Sequence, residues 1–130
     1  MLENILAAYG INKEDTEIIP FGSGLINNTW HIKSNGSSYI LKKINQHVFK
    51  RPDDIAFNIK SIADYFSKVH PEYFFVVPKK TLLNGEMAYL PKEGYFRLFP
   101  FVKKSHTIDV VHTTDQAYEA ARQFGRFTKL

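Results

Sequence analysis

The chain of 130 residues contains no cysteine, which excludes disulfides and any thiolate metal site. No apolar run approaches membrane-spanning length, and the opening Met1-Leu2-Glu3-Asn4 lacks the basic and apolar regions of a signal peptide, so a cytoplasmic location is expected. Repeats, low-complexity tracts and Gly/Ser-rich linkers are missing as well. Charge of one sign is scarce: 17 basic residues are interspersed with 13 acidic ones, and no run forms a basic arm. The net charge of +4 and sequence pI near 9.2 therefore give only a hint of anionic ligands. The five histidines, at 31, 47, 70, 106 and 112, have no spacing that sets two on one helical face, so no metal is proposed. A strained Gly-x-Ser-x-Gly turn is also absent, because the serine in Gly22-Ser23-Gly24 lacks that frame.

What is present is enough apolar material, 44% of residues, for one moderate core, so one compact unit is expected and a second domain is not. The chain is organised around Pro20 to Trp30, a glycine-rich loop between two apparent strands. Gly22 and Gly24 allow backbone angles closed to other residues and let amides approach a ligand closely, which suits a lid over nucleotide phosphates. Dinucleotide fingerprints and Walker loops both need a helix directly after the glycines. Here Thr29 to Lys33 reads as a strand instead, and Ser34-Asn35-Gly36-Ser37-Ser38 as a hairpin turn, so the loop joins antiparallel strands.

The remaining elements follow in order. Leu2, Ile5, Leu6 and Tyr9 recur at helical spacing before the stop signal Gly10, and Glu17 to Phe21 reads as the first strand. The third strand, Tyr39 to Ile44, carries Lys42 and Lys43 on opposite faces. Only one can enter a cleft beneath the loop. Lys42 shares its face with Ile40 and is preferred, with Lys43 as a solvated edge lysine. Arg51-Pro52-Asp53-Asp54 starts a helix with an apolar stripe of Ile55, Ile59, Ile62 and Phe66, which ends at His70-Pro71. Tyr73 to Val77 is a continuous aromatic and β-branched run, expected to be a strand covered on both faces. Asn84-Gly85 signals a hairpin within Leu82 to Leu90, and Pro91 to Gly94 a further turn. Tyr95 to Val102 should be the last strand, ending near Pro100 because proline removes a ladder donor. Tyr118, Ala121, Phe124 and Phe127 mark a final helix behind a Thr or Asp cap. The sum is an α+β unit: an antiparallel sheet of about five or six strands with one inserted helix, a short N-terminal helix and a C-terminal helix.

The segments FGSGLINNTW, YILKKIN, VFKRPDD, RLFPFV and QAYEAARQFGRFTKL, in that order, resemble the N-terminal lobe of the aminoglycoside phosphotransferase and choline kinase-like superfamily, with the nearest likeness to bacterial N-acetylhexosamine kinases. The resemblance covers nearly the whole chain. It implies that Gly22, Ser23 and Gly24 lie over the phosphates of ATP, with Asn27 where protein kinases have a third glycine, a mild exchange because Asn tolerates left-handed backbone. It implies that Lys42 pairs with the α- and β-phosphates, and that Phe99, Pro100 and Phe101 form the hinge beside adenine. The glutamate that kinases use to orient this lysine has no counterpart between Ile55 and Phe66, where Asp64 is the only acid, so Asp54 or Asn58 would have to substitute. The resemblance further implies that the catalytic base and most of the magnesium-binding groups belong to a C-terminal lobe absent from this chain, so that the 130-residue piece alone is inactive. His106 and His112 lack catalytic-loop spacing and read as surface loop residues.

Three functions are compatible with this reading. The first is the nucleotide-binding lobe of a small-molecule kinase acting on a hydroxyl, of a sugar in particular, with nucleotide and acceptor as partners and no membrane. The second is a β-rich module that holds single-stranded nucleic acid on a basic, aromatic surface. It accounts for the pI but not for the kinase order of the glycines, Lys42 and Pro100. The third is a regulatory or assembly domain without chemistry. An isolated lobe would expose an apolar underside and be prone to self-association.

Overall fold

The computed structural model describes residues 2–22 and 28–130. Helix α1 spans Leu2–Ala7, and the chain reverses at Gly10, whose φ of 75° lies in the left-handed region. A single 3-10 turn over Lys13–Asp15, capped by the Asn12 side chain, leads into the sheet. The strands are β1 Thr16–Pro20, β2 Asn28–Ser34, β3 Ser37–Lys43, β4 Ala88–Leu90 and β5 Gly94–Pro100. They form one antiparallel sheet in the order β1-β2-β3-β5-β4. Helix α2, Pro52–Val69, is inserted between β3 and β4, and helix α3, Thr114–Lys129, follows β5.

The turns follow from local chemistry. Asn35 (φ 49°) and Gly36 (φ 78°) give the β2–β3 hairpin the two left-handed positions that a tight primed turn requires. Pro52 at the first turn of α2 and the Thr113 side chain, which accepts from the Gln116 amide, start the two long helices as expected. Pro100 is tolerated at the end of β5 for a geometric reason. The Phe101 amide donates to the Ser38 carbonyl, so the alternating ladder directs residue 100 away from β3, beyond the last β4 pair, where no donor is needed.

Alternation divides the sheet into a core face and an open face. Ile32, Leu41, Phe96 and Leu98 share the core face and pack with Ile5, Leu6, Tyr9 and Ile11 from α1 and its exit. The Tyr9 hydroxyl donates to the Phe96 carbonyl at 3.4 Å. Burial raises Tyr9 from its ordinary value of 10 to about 12, against the opposing effect of backbone hydrogen bonds. The unfolded chain therefore ionises first, and stability held below pH 10 is lost as pH rises towards 12. The shift corresponds to about 3 kcal/mol in full. Tyr9→Phe is expected to lie about 1 kcal/mol below wild type in urea unfolding at pH 8, and the gap should close or reverse at pH 11. A constant gap would contradict this role.

Two strand expectations are corrected. Tyr73 to Val77 joins no strand. Its odd-numbered rings turn to the helices, Tyr73 and Phe75 lying 4.6 and 5.4 Å from Phe66, while Phe74 is 75% exposed. The one ladder-like bond nearby runs from the Lys79 amide to the Leu98 carbonyl on the edge of β5 that β4 does not cover. Asn84, at φ 67°, does make a turn, closed by Thr81 N–H to Gly85 C=O, but no strand precedes it and Leu83 is 95% exposed. Phe66 is the hub of a second aromatic cluster, with Phe127 of α3 at 5.7 Å, so that α2, the stretch Tyr73 to Val77 and α3 hold one another.

Candidate functional site

The open face of the sheet carries the chemistry. Register puts Thr29, Lys42 and Arg97 in one row across β2, β3 and β5, and His31, Ile40 and Phe99 in the next. At the end of β1 the Phe21 amide donates to the Thr29 carbonyl, and Gly22 follows at φ 81° with open space where a Cβ would project. The geometry there is one that L side chains rarely adopt. Phe21, His31 and Phe101 form an aromatic wall: His31 stacks on Phe101 with centroids 4.6 Å apart, and Phe21 meets both rings edge-on. This wall ties the root of the glycine loop to the segment leaving β5.

A cleft of about 530 Å³ opens beside it, lined by Phe21, Gly22, Thr29, Ile40, Lys42, Val76, the run Phe99-Pro100-Phe101-Val102, and Ser105, His106, Thr107 and Asp109. The lining combines aromatic and aliphatic side chains with the ammonium of Lys42 and the carboxyl group of Asp109. Lys42 projects near the Phe99 ring, its Nζ 5.6 Å from the centroid, and burial followed by the Arg97 charge lowers its pKa from the usual lysine value. Lys43 goes the other way. Its Nζ lies 5.9 Å from the Phe96 ring on the core face, and it lines a separate cavity of about 670 Å³ with Asn28, Gln46 and Gly94.

No protein-family model matches the chain. Among solved structures it is similar to spectinomycin phosphotransferase, crystallised in complex with ADP and spectinomycin, with a TM-score of 0.57 and 20% identity over 91% of this chain and 33% of that one. The fold is that of a kinase-like N-lobe. The chain spans about a third of the length of that relative in structure.

Within this lobe, Gly22, Lys42, Phe99, Pro100 and Phe101 line one cleft. Ser23, Gly24 and Asn27 lie outside the described residues. Asp54 and Asn58 are not brought to Lys42: Asp54 accepts from the Arg51 guanidinium at 3.1 Å, and Asn58 is exposed on α2. His106, read from sequence as a surface loop residue, is exposed yet lines the cleft, whereas His112 does not. Sequence reasoning missed Arg97. Its guanidinium lies 5.2 Å from the Phe99 ring, burial lowers its pKa, and its Nε is buried without a hydrogen-bond partner. The signal available was its two-residue spacing from Phe99, which sets both on one face of a strand. Among the described residues no cluster of three or more His, Asp or Glu is arranged to hold a metal, and no helix is long and apolar enough to cross a membrane.

Proposed function

We propose that the chain is the ATP-binding lobe of a small-molecule kinase that transfers the γ-phosphate to a hydroxyl, of a sugar such as an N-acetylhexosamine. The observation that carries this reading is the convergence of Gly22, Lys42 and the Phe99–Phe101 segment on one cleft, where an ammonium lies beside aromatic and aliphatic surface. Its volume of about 530 Å³ suits a ligand of nucleotide size. The similar spectinomycin phosphotransferase was crystallised with ADP and spectinomycin, which agrees with a nucleotide and a small molecule as ligands. The sugar rests on the sequence likeness to N-acetylhexosamine kinases.

In this reading ATP supplies the phosphoryl group, and the chain's own residues bind and orient it. Ile40, Phe99 and Phe101 offer apolar and aromatic surface to the base. Pro100 has no N–H and the Phe101 amide is committed to Ser38, so the base edge would meet the Pro100 carbonyl and Val102 amide, which alternate away from β3. Lys42 meets phosphate oxygens as a point charge, and Gly22, Ser23, Gly24 and Asn27 close over them. The catalytic base, most magnesium ligands and the acceptor site would come from a second lobe, and without it the piece is expected to bind nucleotide weakly and transfer nothing. Isothermal titration tests the core of the proposal. ADP should bind more tightly than adenosine, and ATP should compete with ADP for one site. Binding of a single-stranded oligonucleotide together with indifference to both nucleotides would favour the nucleic-acid module instead.

A further inference from the structure

Lys42 and Arg97 are direct register partners on β3 and β5, and alternation turns both side chains to the open face. They flank the same ring, Lys42 Nζ at 5.6 Å and Arg97 Cζ at 5.2 Å from the Phe99 centroid. Like charges directly opposite on neighbouring strands are unfavourable, and partial burial increases the penalty because water screens them less. The pKa values follow that cost: burial lowers both cations, and the Arg97 charge lowers Lys42 further. A carboxylate would offset the cost, yet among the described residues the ion pairs lie elsewhere and none includes either cation. The Arg97 Nε–H is buried without an acceptor. A buried, unpaired donor beside a second cation is an incomplete anion site.

The row has a third member. Thr29 is the register partner of Lys42 on β2, immediately after the glycine loop, and it lines the cleft with Lys42. A hydroxyl, an ammonium and a guanidinium thus cross three adjacent strands, a span of about 10 Å at the usual strand spacing. A single phosphate extends over only part of that span, whereas a chain of linked phosphates can reach along it.

Arg97 stands beside the cleft, next to Lys42, rather than in its lining; we propose that it is a second phosphate-binding residue, forming with Lys42 a two-cation seat at the border of the cleft for the polyphosphate of a nucleoside di- or triphosphate. The inference deepens the nucleotide reading and rests on it. It also puts a cation beside Lys42, where Asp54 or Asn58 was expected as the partner. Asp109 lines the cleft with Lys42, but no ion pair among the described residues includes either cation, so ligand oxygens would supply the compensating charge, and the guanidinium fork gives directionality that an ammonium lacks.

The test is isothermal titration of wild type, Arg97→Met and Arg97→Lys with ADP, adenosine and inorganic tripolyphosphate, with thermal unfolding of each ligand-free protein. Arg97→Met should weaken ADP and tripolyphosphate by roughly ten- to a hundredfold while leaving adenosine within about twofold, and Arg97→Lys should recover part of the loss. Relief of the like-charge pair should leave the ligand-free melting temperature unchanged or higher. Unchanged ADP affinity in Arg97→Met overturns the seat, as does an equal loss for ADP and adenosine. A lower melting temperature with unchanged ADP affinity would assign Arg97 to a carboxylate of the protein itself, which also overturns it. If Arg97→Met does not fold, the decision passes to Arg97→Lys, where a selective loss for the phosphate ligands supports the seat and none refutes it. The two levels separate cleanly. Wild type that fails to bind ADP refutes the nucleotide reading, whereas binding abolished by Lys42→Met and kept by Arg97→Met refutes the seat alone.

Discussion

Lys42→Met is expected to weaken ADP binding by about 2 to 4 kcal/mol, roughly 30- to 700-fold, with adenosine affected far less. The size follows from where the ammonium sits. It is half-buried, its Nζ 5.6 Å from the Phe99 ring centroid and its register partner Arg97 on the neighbouring strand. A charged hydrogen bond there is stronger than at an exposed site, and truncation leaves the ligand oxygens unpaired. The pH dependence is part of the same expectation. Binding needs the protonated amine, and burial together with Arg97 lowers the folded pKa below the ordinary 10.5. ADP affinity should therefore fall on the alkaline side at a lower pH than for an exposed lysine, and Lys42→Met should abolish that limb. Lys43→Met is the control, because its side chain lies on the opposite face against Phe96. Equal losses in the two variants, or none in Lys42→Met, would dismiss the cleft as the phosphate site.

Much of the architecture was legible because it is local. Asn35-Gly36 dictates a tight hairpin, Gly10 ends a helix, Pro52 begins one, and Thr113 caps another, each through backbone angles or hydrogen bonds within a few residues. The faces of Lys42 and Lys43 were also readable from alternation, but which face carried the core depended on where α1 docked. The two missed features are non-local. Tyr73 to Val77 has the composition of a buried strand, yet it forms no ladder even though β4 covers the outer edge of β5 only from Gly94 to Phe96. Phe66 and Phe127 offer its rings a better surface than a ladder would. Arg97 escaped notice for the same reason. Its meaning comes from standing opposite Lys42, 55 residues earlier (97 − 42 = 55), and no periodicity in the β5 segment reports that partner. The aromatic wall of Phe21, His31 and Phe101 likewise joins three segments that only the sheet brings together.

Phe96→Ala is expected to cause the largest loss of stability. Phe96 is fully buried at the centre of the core face, with Trp30 6.3 Å away and Lys43 Nζ 5.9 Å from its ring centroid. Residues from three elements, Ile5 and Leu6 of α1, Leu41 of β3 and Ala88 of β4, belong to the same cluster. Removing the ring forfeits its transfer free energy and leaves a void that α1 cannot fill without abandoning the Tyr9 contact to the Phe96 carbonyl. The cost should be about 3 to 5 kcal/mol, a large fraction of the roughly 5 to 15 kcal/mol that stabilises a typical domain. At this chain length the melting temperature should fall by roughly 10 to 20 °C. Phe124→Ala provides the comparison, since Phe124 is 72% exposed on α3 and its loss should cost less than about 0.5 kcal/mol. The two substitutions remove the same atoms, so the difference between them isolates burial. Below its melting temperature Phe96→Ala should retain ADP affinity within a few-fold, because the row of Thr29, Lys42 and Arg97 lies on the other face. Melting temperatures for the two variants that differ by no more than a few degrees would mean that the sheet does not bury its core against α1.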